Sequence, residues 1–229
     1  MRYLHLPSRP VRNLVVSSFL ALLWPMSLLA AAPAAAIRAL VDGQHLRITG
    51  GQASGSIVIV AAIRDTSPTR PVFLDRVVRT LTGDAGGNAD LDYGREIPVA
   101  SIWAVVDQSS GSYDIVTPGD YPRREKPFTG SILKHATPAE AIDQLTTNSL
   151  VLQMLWVRPG NGGGSWFVTA SDGAANDDDH EPNGETLTST ALFTPIAGKE
   201  KAPKKLKTDD VLILIDPFEM NFIATVVTR

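Results

Sequence analysis

The 229-residue chain contains no cysteine. That absence excludes disulfides, thiolate catalysis and cysteine zinc sites, and with them the lipid anchoring that needs a cysteine at the export cleavage point. Histidine is scarce: His5, His45, His135 and His180 are dispersed and form no His-x-x-x-His pair. No Gly-x-Ser-x-Gly elbow occurs either, so the usual zinc- and serine-hydrolase motifs are missing. A triad assembled in space, with His135 beside a carboxylate, stays open because triad order and spacing vary among folds. The one glycine-rich stretch, Gly160 to Gly164, has no lysine for a phosphate and reads as a flexible hairpin tip. The net charge of −3 lacks the basic footprint of a phosphate-backbone binder, so no nucleic-acid partner is expected. Its basic cluster, Lys199, Lys201, Lys204, Lys205 and Lys207, lies in a proline-containing stretch and reads as a solvated loop.

What is present begins with an address. Arg2, Arg9 and Arg12 precede the apolar run Leu14 to Ala30, and Ala31 to Ala36 supply small residues around Pro33. Basic start, apolar centre and small exit are the parts of a secretory signal peptide over residues 1–36, with release at Ile37. Losing three arginines and no carboxylates takes the charge from −3 to −6. The competing reading is a retained anchor, since about 18 apolar residues can span a bilayer, but Pro25 and the alanine-rich exit favour cleavage. No later run is long enough to span, so a periplasmic or secreted product is expected.

Residues 37–229 read as strands. Valine and isoleucine gather in short runs broken by Gly, Asn, Asp and Pro, as in antiparallel β structure. Seven strands are expected near residues 39–41, 45–49, 56–64, 72–80, 89–91, 102–106 and 113–116. Five more are expected near 149–157, 166–170, 185–192, 211–215 and 222–227. The run Ile57 to Ile63 has no polar alternation and should be covered on both faces. Thr137, Pro138 and Glu140 form a capping box for one short helix whose Ala141, Ile142 and Leu145 face inward. The prolines and charges of residues 118–127 mark a boundary. The expected organisation is therefore a domain over 37–120, a linker over 121–136, and a helix plus second domain over 137–229.

The two halves echo each other. Ser101 to Asp107 and Asp210 to Asp216 are both apolar runs closed by aspartate, and Ser56 to Arg64 is echoed by Ser149 to Arg158. An acidic turn lies between the members of each pair, which suggests a duplicated unit, the competing reading being one larger sandwich of about twelve strands that merely look alike. In the first turn Asp84 can cap its own backbone while Gly86 and Gly87 take positive φ. In the second, Asp177, Asp179, Glu181 and Asn183 alternate ahead of Gly184. Oxygen ligands at every second position are how a loop wraps Ca2+, although the bidentate glutamate of an EF-hand loop is replaced by Thr190. The competing reading is a solvated acidic hairpin loop. Trp166, following the glycine stretch, is the candidate surface platform for a sugar ring, whereas Trp103 and Trp156 lie in apolar runs and belong to a core.

An apolar strand, the turn Asp84-Ala-Gly-Gly-Asn88 and then Ser101 to Asp107 resemble exported bacterial Ig-like β-sandwich modules of the cell envelope. The resemblance covers Ala39 to Pro118 and, less fully, Leu150 to Val227. It implies an all-β fold of two tandem antiparallel Ig-like sandwiches with one short helix between them, and no particular activity. The expected function is a non-catalytic structural or protein-binding module with a protein or envelope component as partner. The alternatives are a weak calcium- or carbohydrate-binding module and a hydrolase with an assembled triad.

Overall fold

Valine- and isoleucine-rich runs become strands wherever they are bounded by residues that turn the chain. The structure, a computed structural model, describes residues 36–64, 74–119, 124–125, 128, 130–145, 151–171, 188–196, 201–216 and 220–228. The strands are β1 (Arg38–Asp42), β2 (His45–Thr49), β3 (Ser56–Arg64), β4 (Leu74–Thr82), β5 (Ala89–Asp92), β6 (Ser101–Asp107) and β7 (Tyr113–Val116). A short β8 (Arg124–Glu125) and the helix α1 (Pro138–Leu145) follow. The chain then adds β9 (Val151–Arg158), β10 (Gly162–Ser171), β11 (Thr188–Ile196), β12 (Val211–Asp216) and β13 (Asn221–Val226). They build three sheets, ordered β1-β2-β5, β4-β3-β6-β7 and β11-β10-β9-β12-β13-β8. Every pairing between them is antiparallel except that of β8 with β13. The protein is thus mostly β, as its patterning implies.

Period-two alternation decides what each sheet covers. Val58, Val60 and Ala62 of β3 join Ile102, Ala104 and Val106 of β6 on one face. Ile57, Ile59, Ala61 and Ile63 join Trp103 and Val105 on the other. The second face meets Leu46 and Ile48 of the three-stranded sheet, and Ile37 closes its end. The first face meets Leu155, Val157, Val211, Ile213 and Ile215 of the six-stranded sheet. That sheet's far side, carrying Met154, Trp156, Leu212 and Leu214, is covered by Ile132, Leu206 and α1. Both faces of β3 are therefore buried, as its uninterrupted apolar run requires. The expected linker contributes β8 to the sheet edge and Ile132 to this last cluster.

Helix α1 starts as its sequence directs. The Thr137 Oγ1 accepts from the Glu140 N–H at 3.2 Å, and the Glu140 carboxylate accepts from the Thr137 N–H at 2.6 Å. Ala141, Ile142 and Leu145 are buried.

The four-stranded sheet and strands β10-β9-β12-β13 have the same order and direction. Their last hairpins also match in detail. Asp107 and Asp216 each close a strand, and Asp216 pairs with Asn221 just as the Asp107 N–H donates to Ser112 O. Four residues after each aspartate the backbone turns left-handed, at Gly111 (φ 74°) and Met220 (φ 51°). The halves differ in what covers their outer faces: a sheet in the first, a helix with loops in the second. They also differ inside the shared layer. Val58 pairs with Val106 and Gln153 with Ile215, so a buried amide stands where the first half has an apolar side chain.

The glycine-rich stretch departs from expectation. Gly162, Gly163 and Gly164 are strand residues opposite Arg158, Val157 and Trp156, and only residues 159–161 turn. A Cβ on Gly164 would stand 2.1 Å from the Phe193 ring, and one on Gly163 would stand 2.5 Å from the Trp156 carbonyl. Close packing, rather than flexibility, calls for glycine there.

Ile213 lies in the middle of the shared layer, whereas Leu40 of β1 is 62% exposed. Ile213→Ala should lower stability by about 2–5 kcal/mol, and Leu40→Ala should change it by less than about 0.5 kcal/mol. Urea unfolding midpoints of the two variants check the contrast.

Candidate interaction site

The residues singled out for ligands divide into two groups. Asp177, Asp179, Glu181 and Asn183 lie outside the described residues, as does His180. Among the described residues no group of His, Asp and Glu is arranged to hold a metal ion. Trp166 is not a surface platform: it is 4% exposed, with its ring 6.1 Å from Trp156 and 4.9 Å from Phe193. The reason is alternation, which points Trp166 to the same covered side of the sheet as its cross-strand partner Met154.

The two described histidines, His45 and His135, lie on different parts of the fold. His45 Nδ1 lies 3.1 Å from Asp90 on an exposed strand pair, and His135 is exposed with a left-handed backbone, φ 79°. Asp84 accepts from the N–H groups of Gly86 and Asn88 at 2.7 and 2.8 Å, and Gly87 alone in that turn takes positive φ. The Asn88 N–H, followed by its side-chain amide and the Gly86 N–H, holds the Asp84 carboxyl below the ordinary carboxylate range. Asp107 likewise organises its turn by hydrogen bonds. Its oxygens accept from the Ser109 N–H and hydroxyl at 2.9 and 2.7 Å, the Ser110 hydroxyl at 2.9 Å and the Gln52 N–H at 3.2 Å. Both aspartates are turn anchors.

A different cluster has the geometry to present side chains outward. Strands β9 and β12 pair Val157 with Val211, which brings Arg158 at the end of β9 opposite Asp210, the residue just before β12. The guanidinium grips the carboxylate in parallel, Nε to Oδ1 at 2.8 Å and Nη2 to Oδ2 at 2.8 Å. Asp210 is fully buried, and the guanidinium stacks 5.1 Å from the Trp156 ring centroid. Planar bidentate pairing is the strongest form of charged hydrogen bond that these two side chains can make.

The pair also holds the loop leading into β12. Asp210 Oδ2 accepts from the Lys207 N–H at 2.9 Å, and Arg158 Nη2 donates to the Lys205 carbonyl at 3.4 Å. Between them Leu206 is buried, its N–H donating to Ala136 O at 2.8 Å and its carbonyl accepting from the His135 N–H at 3.0 Å. Lys205 and Lys207 are consequently exposed on a held backbone, preceded by exposed Lys201 and Lys204, and the bonds of Leu206 bring exposed His135 alongside. Glu140 stands close enough to Lys205 to feel its charge, although the Thr137 N–H is the main reason its carboxyl sits below the usual range. Of the basic cluster, Lys201, Lys204, Lys205 and Lys207 are solvated as expected and Lys199 lies outside the described residues, but the chain at Lys205 to Lys207 is clamped. Sequence reasoning missed the clamp because its two members are 52 residues apart. The available signal was an arginine ending one apolar run and an aspartate opening another.

Compared with protein-family models, curated proteins and solved structures, the chain matches none.

Asp210→Asn leaves Arg158 largely buried without its counter-charge, a change that costs about 3 kcal/mol or more. It should also release Lys205 and Lys207, so trypsin should cut between residues 204 and 208 faster than in the parent chain. Asp209→Asn, at an exposed neighbour, should change neither the melting temperature nor the digestion pattern.

Proposed function

We propose that the chain is an exported, non-catalytic structural or binding module of the bacterial cell envelope, periplasmic or secreted, that acts through surfaces its sheets hold rigid. The observation that carries this is the clamped loop: a buried ion pair fixes the backbone at Lys205 and Lys207, both of which are exposed. A cluster built to hold a surface in place suits recognition. The basic, apolar and small-residue order of residues 1–36 supports export.

The Ig-like reading of the first half is supported by its strand order. Seven antiparallel strands in sheets β1-β2-β5 and β4-β3-β6-β7 share one buried cluster, the arrangement of an Ig-like or fibronectin-like sandwich. For a tandem second copy, the support is the repeated order β10-β9-β12-β13 and the matched Asp107 and Asp216 hairpins. The second copy would have exchanged its outer sheet for α1 and the adjoining loops.

The export reading is checked by producing the full chain in a bacterium, separating periplasm from cytoplasm and weighing the product. A periplasmic protein lacking residues 1–36 is expected. Full-length protein confined to the cytoplasm would sink the proposal.

A further inference from the structure

We infer that residues 1–36 are removed while the chain is still unfolded, because folding shuts the cleavage site at the Ala36–Ile37 bond. This order of events rests on the export reading above. Ala36 is exposed, but Ile37 is 0% exposed and packs with Leu46, Ile48, Ile59 and Trp103 in the cluster between the three- and four-stranded sheets. Its N–H belongs to the bond to be cut and donates to Ser112 Oγ at 3.2 Å. Strand β1 begins at the next residue, where Arg38 pairs with Thr49 of β2. One residue further, the Ala39 N–H donates to Asp114 Oδ2 at 2.9 Å. The chain just past the cut is thus held by the core, by a strand ladder and by two side chains from β7 and the turn before it.

A protease needs several residues around the scissile bond drawn out and laid extended in its cleft, so cleavage of a folded chain goes through local opening. Here that opening must pull Ile37 from the core, break its bond to Ser112 and peel Arg38 and Ala39 from β2. Cleavage then scales with the small open fraction when closing is fast. Before β1 docks none of these contacts exists, and the bond is open to the enzyme. Hydrolysis adds one water across the amide, leaving a carboxylate on Ala36 and an α-ammonium on Ile37. As β1 docks, that nitrogen still reaches Ser112 as a donor. A chain that folds first instead keeps residues 1–36, and with them the apolar run Leu14 to Ala30. The sequence of the two steps therefore selects between a released and a leader-bearing product.

The test refolds the full chain, measures its unfolding midpoint, adds purified bacterial signal peptidase in detergent micelles and weighs the product over time. One variant inserts Gly-Ser-Gly-Ser-Gly-Ser between Ala36 and Ile37, which keeps Ala34 and Ala36 ahead of the cut and moves the bond away from the folded edge. A second, S112A/D114A, leaves the sequence around the bond unchanged and removes the two side-chain acceptors. The insertion variant should be cut after Ala36 about tenfold or more faster than the folded parent, and folded S112A/D114A several-fold faster. Equal rates for the parent and the insertion variant would overturn the order of events and leave export standing. A folded S112A/D114A chain cut no faster than the parent would also overturn it, since the docked start of β1 would not be what protects the bond. Failure of the enzyme to cut even the insertion variant would overturn both this inference and the export reading.

Discussion

One apolar layer, between the four-stranded and six-stranded sheets, constrains nearly everything else in this structure. Ile102, Ala104 and Val106 from β6 face Val211, Ile213 and Ile215 from β12 across it, with β3 and β9 alongside. Because the same strands are covered on their other faces, none of these four can alternate apolar with polar residues as a half-exposed strand does. Polar and charged residues are pushed outward to the edges. Arg76 and Arg79 sit exposed on β4, Asp90 and Asp92 on the short β5, and Pro195 on β11. Such residues also blunt strand edges that would otherwise pair with other chains. Gln153 is the exception inside the layer, its amide reaching Ser165 Oγ at 3.3 Å and its carbonyl oxygen finding no partner among the described residues.

The two halves are joined by more than this layer. The Gly160 N–H of the β9–β10 turn donates to Gln108 O at 2.8 Å, tying it to the turn that Asp107 organises. Gly111 lies so close to Pro159 and Val211 that an added Cβ would stand 2.8 Å from the proline ring. Near this end of the same sheet the Arg158 and Asp210 pair fixes the basic loop. Packing of the central strands thus sets the position of a charged surface that none of them contains.

Strand positions were legible because their cause is local. Alternation, β-branched runs and turn residues act within a few positions, and all twelve expected strands have counterparts, although β10 begins four residues earlier than expected. The capping box at Thr137 was legible for the same reason. Trp166 was misplaced because exposure depends on which face a partner covers. The glycine stretch was misread because its neighbours, Trp156 and Phe193, come from other strands. The acidic residues from Asp177 to Asn183 fall outside the described structure, so their expected role in holding calcium rests on their spacing alone.

By itself, the sequence determined a cysteine-free β protein with one capped helix, an export-like start and an internal echo. Each of these follows from residues close together in the chain. Tertiary structure decided that the echoed sheets share one apolar layer and that Arg158 finds Asp210. It also decided that the loop carrying Lys205 and Lys207 is held beside His135. The physical reason is that burial, ion pairing and surface charge depend on distances in space, which the register of β9 with β12 sets and no local pattern encodes.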